Sequence, residues 1–276
     1  KQILLEPFDN YAEVDKYIEK YSDGTIFLVC GKSFEKMRFY FHLQELKEKG
    51  LEIVRFSDFH PNPSYDSVVA GVEKFRKKHS GLILAAGGGS ALDVAKCIKL
   101  YSGKLPHEIK LLAMPTTAGT GSEATKFAVI YRDGEKQSVT DENIIPDAVL
   151  FDPSVLDYLP MYHRKAAMLD ALCHGIESFW SVNSTEESQA LSEKAITEKS
   201  IMPQRMTDKT DLKFNFIVSS SIFVFIANPL ELFSSFILPK KYGEFRLYNP
   251  PTINNGLRFS SLPLISLFRT FSISSN

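Results

Sequence analysis

The sequence predicts an α/β fold: a parallel sheet with crossover helices, then the beginning of a helical region and an atypical C-terminal tail. Three observations carry that expectation. From residue 25 short apolar runs alternate with longer amphipathic ones, the pattern of parallel strands joined by helices. After Pro160 the character becomes helical, and near residue 200 the composition shifts abruptly. The expected organisation is an α/β domain over 1–157, the start of a helical domain over 158–199 and the tail over 200–276.

TIFLVC (25–30) reads as the first strand and 33–49 as a helix. LEIVRF (51–56) is a second strand, followed by the turn chemistry of HPNPS and a helix over 65–79 with apolar positions at Val68, Val69, Val72 and Phe75. LILAA (82–86) is nearly continuous in apolar character, as expected of a strand covered on both faces. KLLAMP (110–115) and AVLFD (148–152) extend the sheet, and between them FAVIY and EKQSV flank Arg132-Asp133-Gly134, a hairpin signal. MYHRKAAMLDALCHGIESFW (161–180) and a run from about 185 to 199 read as helices, and no internal repeat is found.

The tail is a different composition. Residues 200–276 hold 8 Lys+Arg and 4 Asp+Glu, against 24 and 29 in the first 199, so one part is net positive and the other net negative. Phe, Ser and Ile dominate it, with poor helical periodicity. Its uncharged span Phe214–Leu230 is shorter than the roughly 20 residues of a membrane helix and contains Asn215, Asn228 and Pro229, so a buried or aggregation-prone segment is expected rather than a transmembrane one.

Composition narrows the function classes. A chain of 276 residues with 44% hydrophobic and 24% charged content is long enough for one large core or two modest ones. A net charge of -1 supplies no basic field for nucleic acid. Cys30, Cys97 and Cys173 lie far apart and fit neither a disulfide framework nor a metal knuckle, which suits a reducing compartment and a cytoplasmic location. The start, KQILLEPFDN, lacks the form of a signal peptide and lacks an initiator Met, which reads as a fragment boundary.

Three stretches carry chemistry. In LILAAGGGSALDVAKCI (82–98) an apolar strand runs into three glycines and then a helix. Glycines let backbone approach a ligand closely, and a helix N-terminus presents N–H groups and its positive dipole end to an anion such as pyrophosphate. Ser90 is expected to cap that helix, with Asp93 in its first turn and Lys96 following on the same face. A tight strand-to-helix turn would also look like this, and the stretch is not GxGxxG. MPTTAGTGSEAT (114–125) offers hydroxyls and amides with little bulk directly after a strand, a second wall or else a plain surface loop. Both loops are expected at the C-terminal ends of strands in one sheet, where open α/β sheets bind ligands. In LDALCHGIESFW (169–180), Asp170 and His174 are spaced i,i+4 and share a helix face, with Glu177 one turn on. Such a pair serves a metal half-site or a solvated helix-surface interaction equally well.

Together GGGSALDVAK, PTTAGTGSE and DALCHGIES, with PNPS (61–64) upstream, resemble the iron-containing alcohol dehydrogenase family over roughly residues 20–199. The resemblance implies a Rossmann-like, dinucleotide-binding domain followed by an all-helical domain, with substrate and metal between them. It implies that Asn62, Gly88, Gly89, Ser90, Asp93, Thr116, Thr117, Thr120 and Lys136 match cofactor-contacting positions, and that Asp170 and His174 match the first two metal ligands, for Fe²⁺ or alternatively Zn²⁺. SEATKFAVIYRDGEKQSV through IESFWSVNSTEES looks closest to phosphonoacetaldehyde reductases, for whose phosphonate Lys126 is a candidate cation, or else a solvated strand lysine. The implied reaction is hydride transfer between nicotinamide and a small alcohol or aldehyde, the metal acting as Lewis acid. A homodimer is compatible with the reading.

Two departures stand out. After the first strand, where many members carry an acid that repels a 2′-phosphate, this chain has Gly31 with Lys32 beside it, so NADP is expected to be tolerated alongside NAD. The family's two further metal-ligand histidines have no counterpart, because His42, His60, His79, His107, His163 and His174 all lie at or before position 174. His60, His79 and His107 are expected at the surface, and His163 in a structural role. The chain is therefore expected to be truncated or frame-changed after about residue 199. Competing readings are a catalytically impaired dinucleotide-binding fragment and a zinc enzyme like glycerol dehydrogenase or dehydroquinate synthase.

Overall fold

A computed structural model describes residues 2–7, 10–78, 80–105 and 108–205, with side chains up to residue 197. The expectations for His79, for His107 and for the tail beyond residue 205 lie outside these residues. Among them, no helix is long and apolar enough to cross a membrane.

Six parallel strands form the sheet in the order β1-β8-β5-β4-β2-β3: β1 (Ile3–Leu5), β2 (Thr25–Cys30), β3 (Glu52–Phe56), β4 (Leu82–Gly87), β5 (Lys110–Pro115) and β8 (Ala148–Leu150). The apolar runs of β2 and β4 are central and buried on both faces, which is why they lack alternation. Helices α1 (Ala12–Tyr21), α2 (Arg38–Glu48), α3 (Tyr65–Arg76) and α4 (Gly89–Tyr101) make the crossovers. Phe27 of β2 sits at the core's centre, edge-on to Phe75 of α3 and stacked with Phe56 of β3. The hairpin strands β6 (Phe127–Arg132) and β7 (Glu135–Thr140) pair antiparallel in a separate sheet. Asp133 and Gly134 make its turn, both at positive φ as a two-residue hairpin requires.

The expected helix over 33–49 is two pieces. A short 3-10 turn, Lys32–Lys36, precedes α2, and Met37 between them is extended. On one continuous helix Phe34 and Phe39 would point about 140° apart; the break lets both rings enter the core, each at most 1% exposed. The helix expected over 65–79 is capped by the Ser64 hydroxyl, which accepts from the Ser67 amide, and ends early at Arg76. There the Arg76 guanidinium turns away to donate to the carbonyls of Tyr101 and Ser102 at the end of α4.

Two elements near the start were absent from the sequence expectation. Strand β1 pairs with β8, Ile3 against Ala148, and α1 buries Val14, Tyr17 and Ile18. The Tyr11 hydroxyl donates to Asp152 on the far side of the chain, at 2.5 Å, and closes this edge. After β8 come α5 (Met161–Trp180), with the bounds expected, and α6 (Glu186–Arg205), which runs beyond the expected 199; the two pack against each other.

Candidate functional site

Neighbouring strands β5, β4 and β2 all end at one edge of the sheet, Cys30 opposite Ala86 and Gly87 opposite Pro115. The two glycine- and hydroxyl-bearing loops therefore leave side by side, with Gly31 beyond β2 on the same edge. They touch. The Thr116 amide donates to the Gly87 carbonyl at 3.0 Å. A methyl group at Gly88 would stand 3.1 Å from Thr117 Oγ1, and one at Gly89 would stand 3.4 Å from Thr120 Cγ2. At 88 a Cβ would press on the second loop by a few tenths of an ångström, so the reason for glycine there is the loop's approach and not an unusual φ. Thr117 Oγ1 is buried there and finds no hydrogen-bond partner among the described residues.

Ser90 does not cap α4, contrary to expectation. Gly88 holds that position in an extended conformation, and its carbonyl accepts from the amides of Ala91 and Leu92. With no side-chain cap, the first amides of the helix face the space before it, which is the condition for anion binding at a helix start.

Asp93 falls in the second turn, not the first. Its two oxygens accept from the Ser122 hydroxyl at 2.6 Å and from the Val129 amide at 3.1 Å. Burial pushes its carboxyl above the ordinary carboxylate range, against the pull of Lys96, Ser122, Val129 and Lys136. Lys96 is 0% exposed. Its Nζ donates to Ser122 Oγ at 3.2 Å, Thr125 Oγ1 at 3.1 Å and the Phe127 carbonyl at 2.8 Å. Burial lowers its pKa to about 8, with Asp93 and Glu123 opposing the shift.

The hairpin brings in two more expected residues. Lys136 stands opposite Tyr131, whose amide donates to the Pro63 carbonyl, next to Asn62. Asn62 adopts φ 60°, a left-handed conformation that Asn tolerates better than most residues. Both are exposed. Lys126 is ion-paired with Glu142 at 2.6 Å, so an anion there would compete with a carboxylate already in place.

Asp170 and His174 face each other on α5, with Oδ1 and Nε2 4.0 Å apart. His174 Nδ1 lies 3.2 Å from the Gly119 carbonyl. A carbonyl can only accept, so Nδ1 carries the proton and, in the neutral ring, Nε2 presents the lone pair on the Asp170 side. Gly119 also fixes how close the loop and helix come: a methyl there would stand 2.5 Å from the Ala167 carbonyl. Among the described residues no group of three or more His, Cys, Asp or Glu gathers as a metal site. His163 is exposed with its ring edge-on to Tyr162, not structural as expected, while His60 is exposed as expected.

Spacing along the chain places Lys96 only on the face of Asp93 and does not single out Ser122, Thr125 or Gly119. The usable signal was a lysine within the apolar stretch ALDVAKCI, which on a helix packed across β4 and β5 has nowhere to go but inward.

A sequence model of the family described as iron-containing alcohol dehydrogenase matches residues 4–153. The chain is similar to 1-propanol dehydrogenase PduQ of Citrobacter freundii, 30% identical over 181 residues that cover 64% of this chain and 49% of that protein. It is 32% identical to a phosphonoacetaldehyde reductase of Streptomyces viridochromogenes, over 48% of this chain and 39% of that one. The chain thus spans about half the length, or less, of these curated relatives. Among solved structures, sulfoacetaldehyde reductase from Bifidobacterium kashiwanohense in complex with NAD+ superposes with a TM-score of 0.69 at 26% identity, covering 81% of this chain and 64% of that one. Because that family match spans both touching loops and more than half of the chain, this chain belongs to the iron-containing alcohol dehydrogenase family.

Proposed function

We propose that this chain binds NAD or NADP across the paired loops and takes part in a metal-dependent interconversion of a small alcohol and its aldehyde. The observation that carries the reading is the approach of Gly88 and Gly89 to Thr117 and Thr120 in front of an uncapped helix. A dinucleotide fits these residues. The open amides of α4 and the glycine backbone suit a pyrophosphate, Ser90 and the partnerless Thr117 hydroxyl supply further donors, and Thr116 pins the second loop to the first. Gly31 presents no carboxylate to repel a 2′-phosphate, so both cofactors are accommodated. Asn62 and Lys136 lie together on the hairpin side of this edge, where they would meet the cofactor's polar groups. Asp93 holds the second loop by accepting from Ser122 and Val129, and its remaining lone pairs are available to the cofactor.

When bound, nicotinamide supplies the hydride donor or acceptor and Fe²⁺, or Zn²⁺, supplies Lewis acidity. Asp170 and His174 are suited to be two of the metal's ligands: the Nδ1–H bond to Gly119 fixes the tautomer and ring direction, an arrangement common behind metal-bound histidine. Phosphonoacetaldehyde is the finer substrate proposal, supported by the named relative. Its phosphonate would have to displace Glu142 from Lys126 or find another cation.

Fluorescence titration with NADH and NADPH tests the placement. Gly89→Val is expected to cut affinity by at least about tenfold, since a branched side chain, whose Cβ finds ordinary contact beside Thr120, occupies the phosphate approach, while the melting temperature stays near that of the parent. Equal affinity in the variant would defeat the placement. The position of the histidines, none after His174, favours a second reading in which the chain binds dinucleotide without turnover. Iron titration during NADPH oxidation by small aldehydes separates the two: turnover rising with iron supports the enzyme, and binding alone supports the second reading.

A further inference from the structure

We propose that Lys96 is a positioning residue whose ammonium, bonded at once to Ser122, Thr125 and the Phe127 carbonyl, sets where the second loop stands against the first. The loop has two anchored ends. At one end β5 and the Thr116 amide hold it to Gly87; at the other it turns at Gly121, in a left-handed conformation, into the 3-10 turn Ser122–Ala124. Beneath that second end lies Lys96, bonded at 2.8–3.2 Å to the first residue of the turn and to two groups that follow it. Thr117, Gly119 and Thr120 lie between the anchors, so both the wall facing Gly88 and Gly89 and the carbonyl that accepts from His174 depend on them.

Hydrogen-bond accounting makes the charge necessary. Ser122 gives its one proton to Asp93, and Thr125 directs its proton toward the Phe127 carbonyl, so both hydroxyls present lone pairs to Lys96. Three acceptors need three protons, which an ammonium has and a neutral amine lacks. The charged groups acting on it are Asp93 of its own helix and Glu123 of the turn above, while Lys136 of the hairpin acts on Asp93; the neighbouring Cys97 thiol, pushed up to about 12 by burial, stays neutral. Burial lowers the Lys96 pKa to about 8. The amine is protonated below that pH and loses one of the three bonds as pH rises through it, so loop order and dinucleotide affinity fall in the same range.

The affinity arm rests on the cofactor reading proposed above, whereas loop order does not. The full chain without nucleotide is followed by hydrogen exchange and mass spectrometry, with peptides from β2 and β4 as internal reference, and NADH affinity is measured in parallel. Lys96→Met keeps the length and removes the donors. It is expected to speed exchange across 116–125 by about tenfold or more and to weaken NADH by a similar factor, with the reference peptides unchanged. Thr125→Val removes one acceptor at constant shape and is expected to give roughly threefold in both. After correction for intrinsic exchange, raising pH from about 7 to about 9 should loosen the parent loop and leave Lys96→Met unaffected. Parental protection of 116–125 in Lys96→Met, or weakened binding with the loop unchanged, overturns the proposal. Should Lys96→Met not fold, unchanged exchange in Thr125→Val overturns it. A parent that binds no NADH defeats the cofactor reading, and loop exchange then decides this one.

Discussion

The sheet half of the molecule closes its own core, whereas the helix that carries Asp170 and His174 does not. Ile26, Phe27, Leu28 and Val29 along β2, and Leu82 through Ala86 along β4, are at most 1% exposed. On α5 only Ala171, Gly175 and Ser178 are buried, while Leu169 is 60% and Trp180 67% exposed. The contrast teaches where each half of the candidate site gets its geometry. The proposed nucleotide side stands on strands whose positions are over-determined by burial. The proposed metal side stands on a helix placed by small-residue contacts, Gly119 against Ala167 and Gly175 against Ile196, and by one histidine bond.

Three substitutions break or sharpen that contrast. Phe27→Ala removes a ring packed against Phe56 and Phe75 and is expected to destabilise the chain by about 3–5 kcal/mol, read from chemical denaturation. A loss below about 1 kcal/mol would mean that the sheet is not the dominant core. Gly119→Ala places a methyl 2.5 Å from the Ala167 carbonyl and is expected to cost about 1–3 kcal/mol. Its signature is local: faster exchange along α5 with β2 and β4 protected, and a uniform loss across the sheet would contradict the division. Leu169→Ala, at an exposed site, is expected to change stability by less than about 0.5 kcal/mol. A large loss there would reveal that the α5 face is covered in solution.

Most of the sheet was legible because its central strands are long apolar runs between turn residues, and the hairpin because Asp133-Gly134 can supply two positive φ angles. Strand β1 was not. Three residues carry no period, and Ile3–Leu5 is a strand only because β8, some 145 positions later, offers it an edge. Helix α1 was readable in principle from Val14, Tyr17, Ile18 and Tyr21 at i, i+3, i+4 and i+7. Within the site, the two loops and the Asp170–His174 pair followed from local spacing. The partners of Asp93, Lys96 and Lys126 did not, since each is met by residues from another element: Ser122 and Val129, Ser122 with Thr125 and Phe127, and Glu142.

By itself, then, the sequence determined the order of elements, the glycine-bearing bends and the helix face shared by Asp170 and His174, because periodicity and turn chemistry act over a few residues. Only the tertiary structure decided that Gly88 rather than Ser90 begins α4, that Asp93 turns inward, and that Lys96 is buried as a three-point clamp. Capping depends on the backbone angles a packed loop imposes, and a buried charge depends on acceptors delivered from distant segments. Neither is encoded in the spacing of residues along the chain.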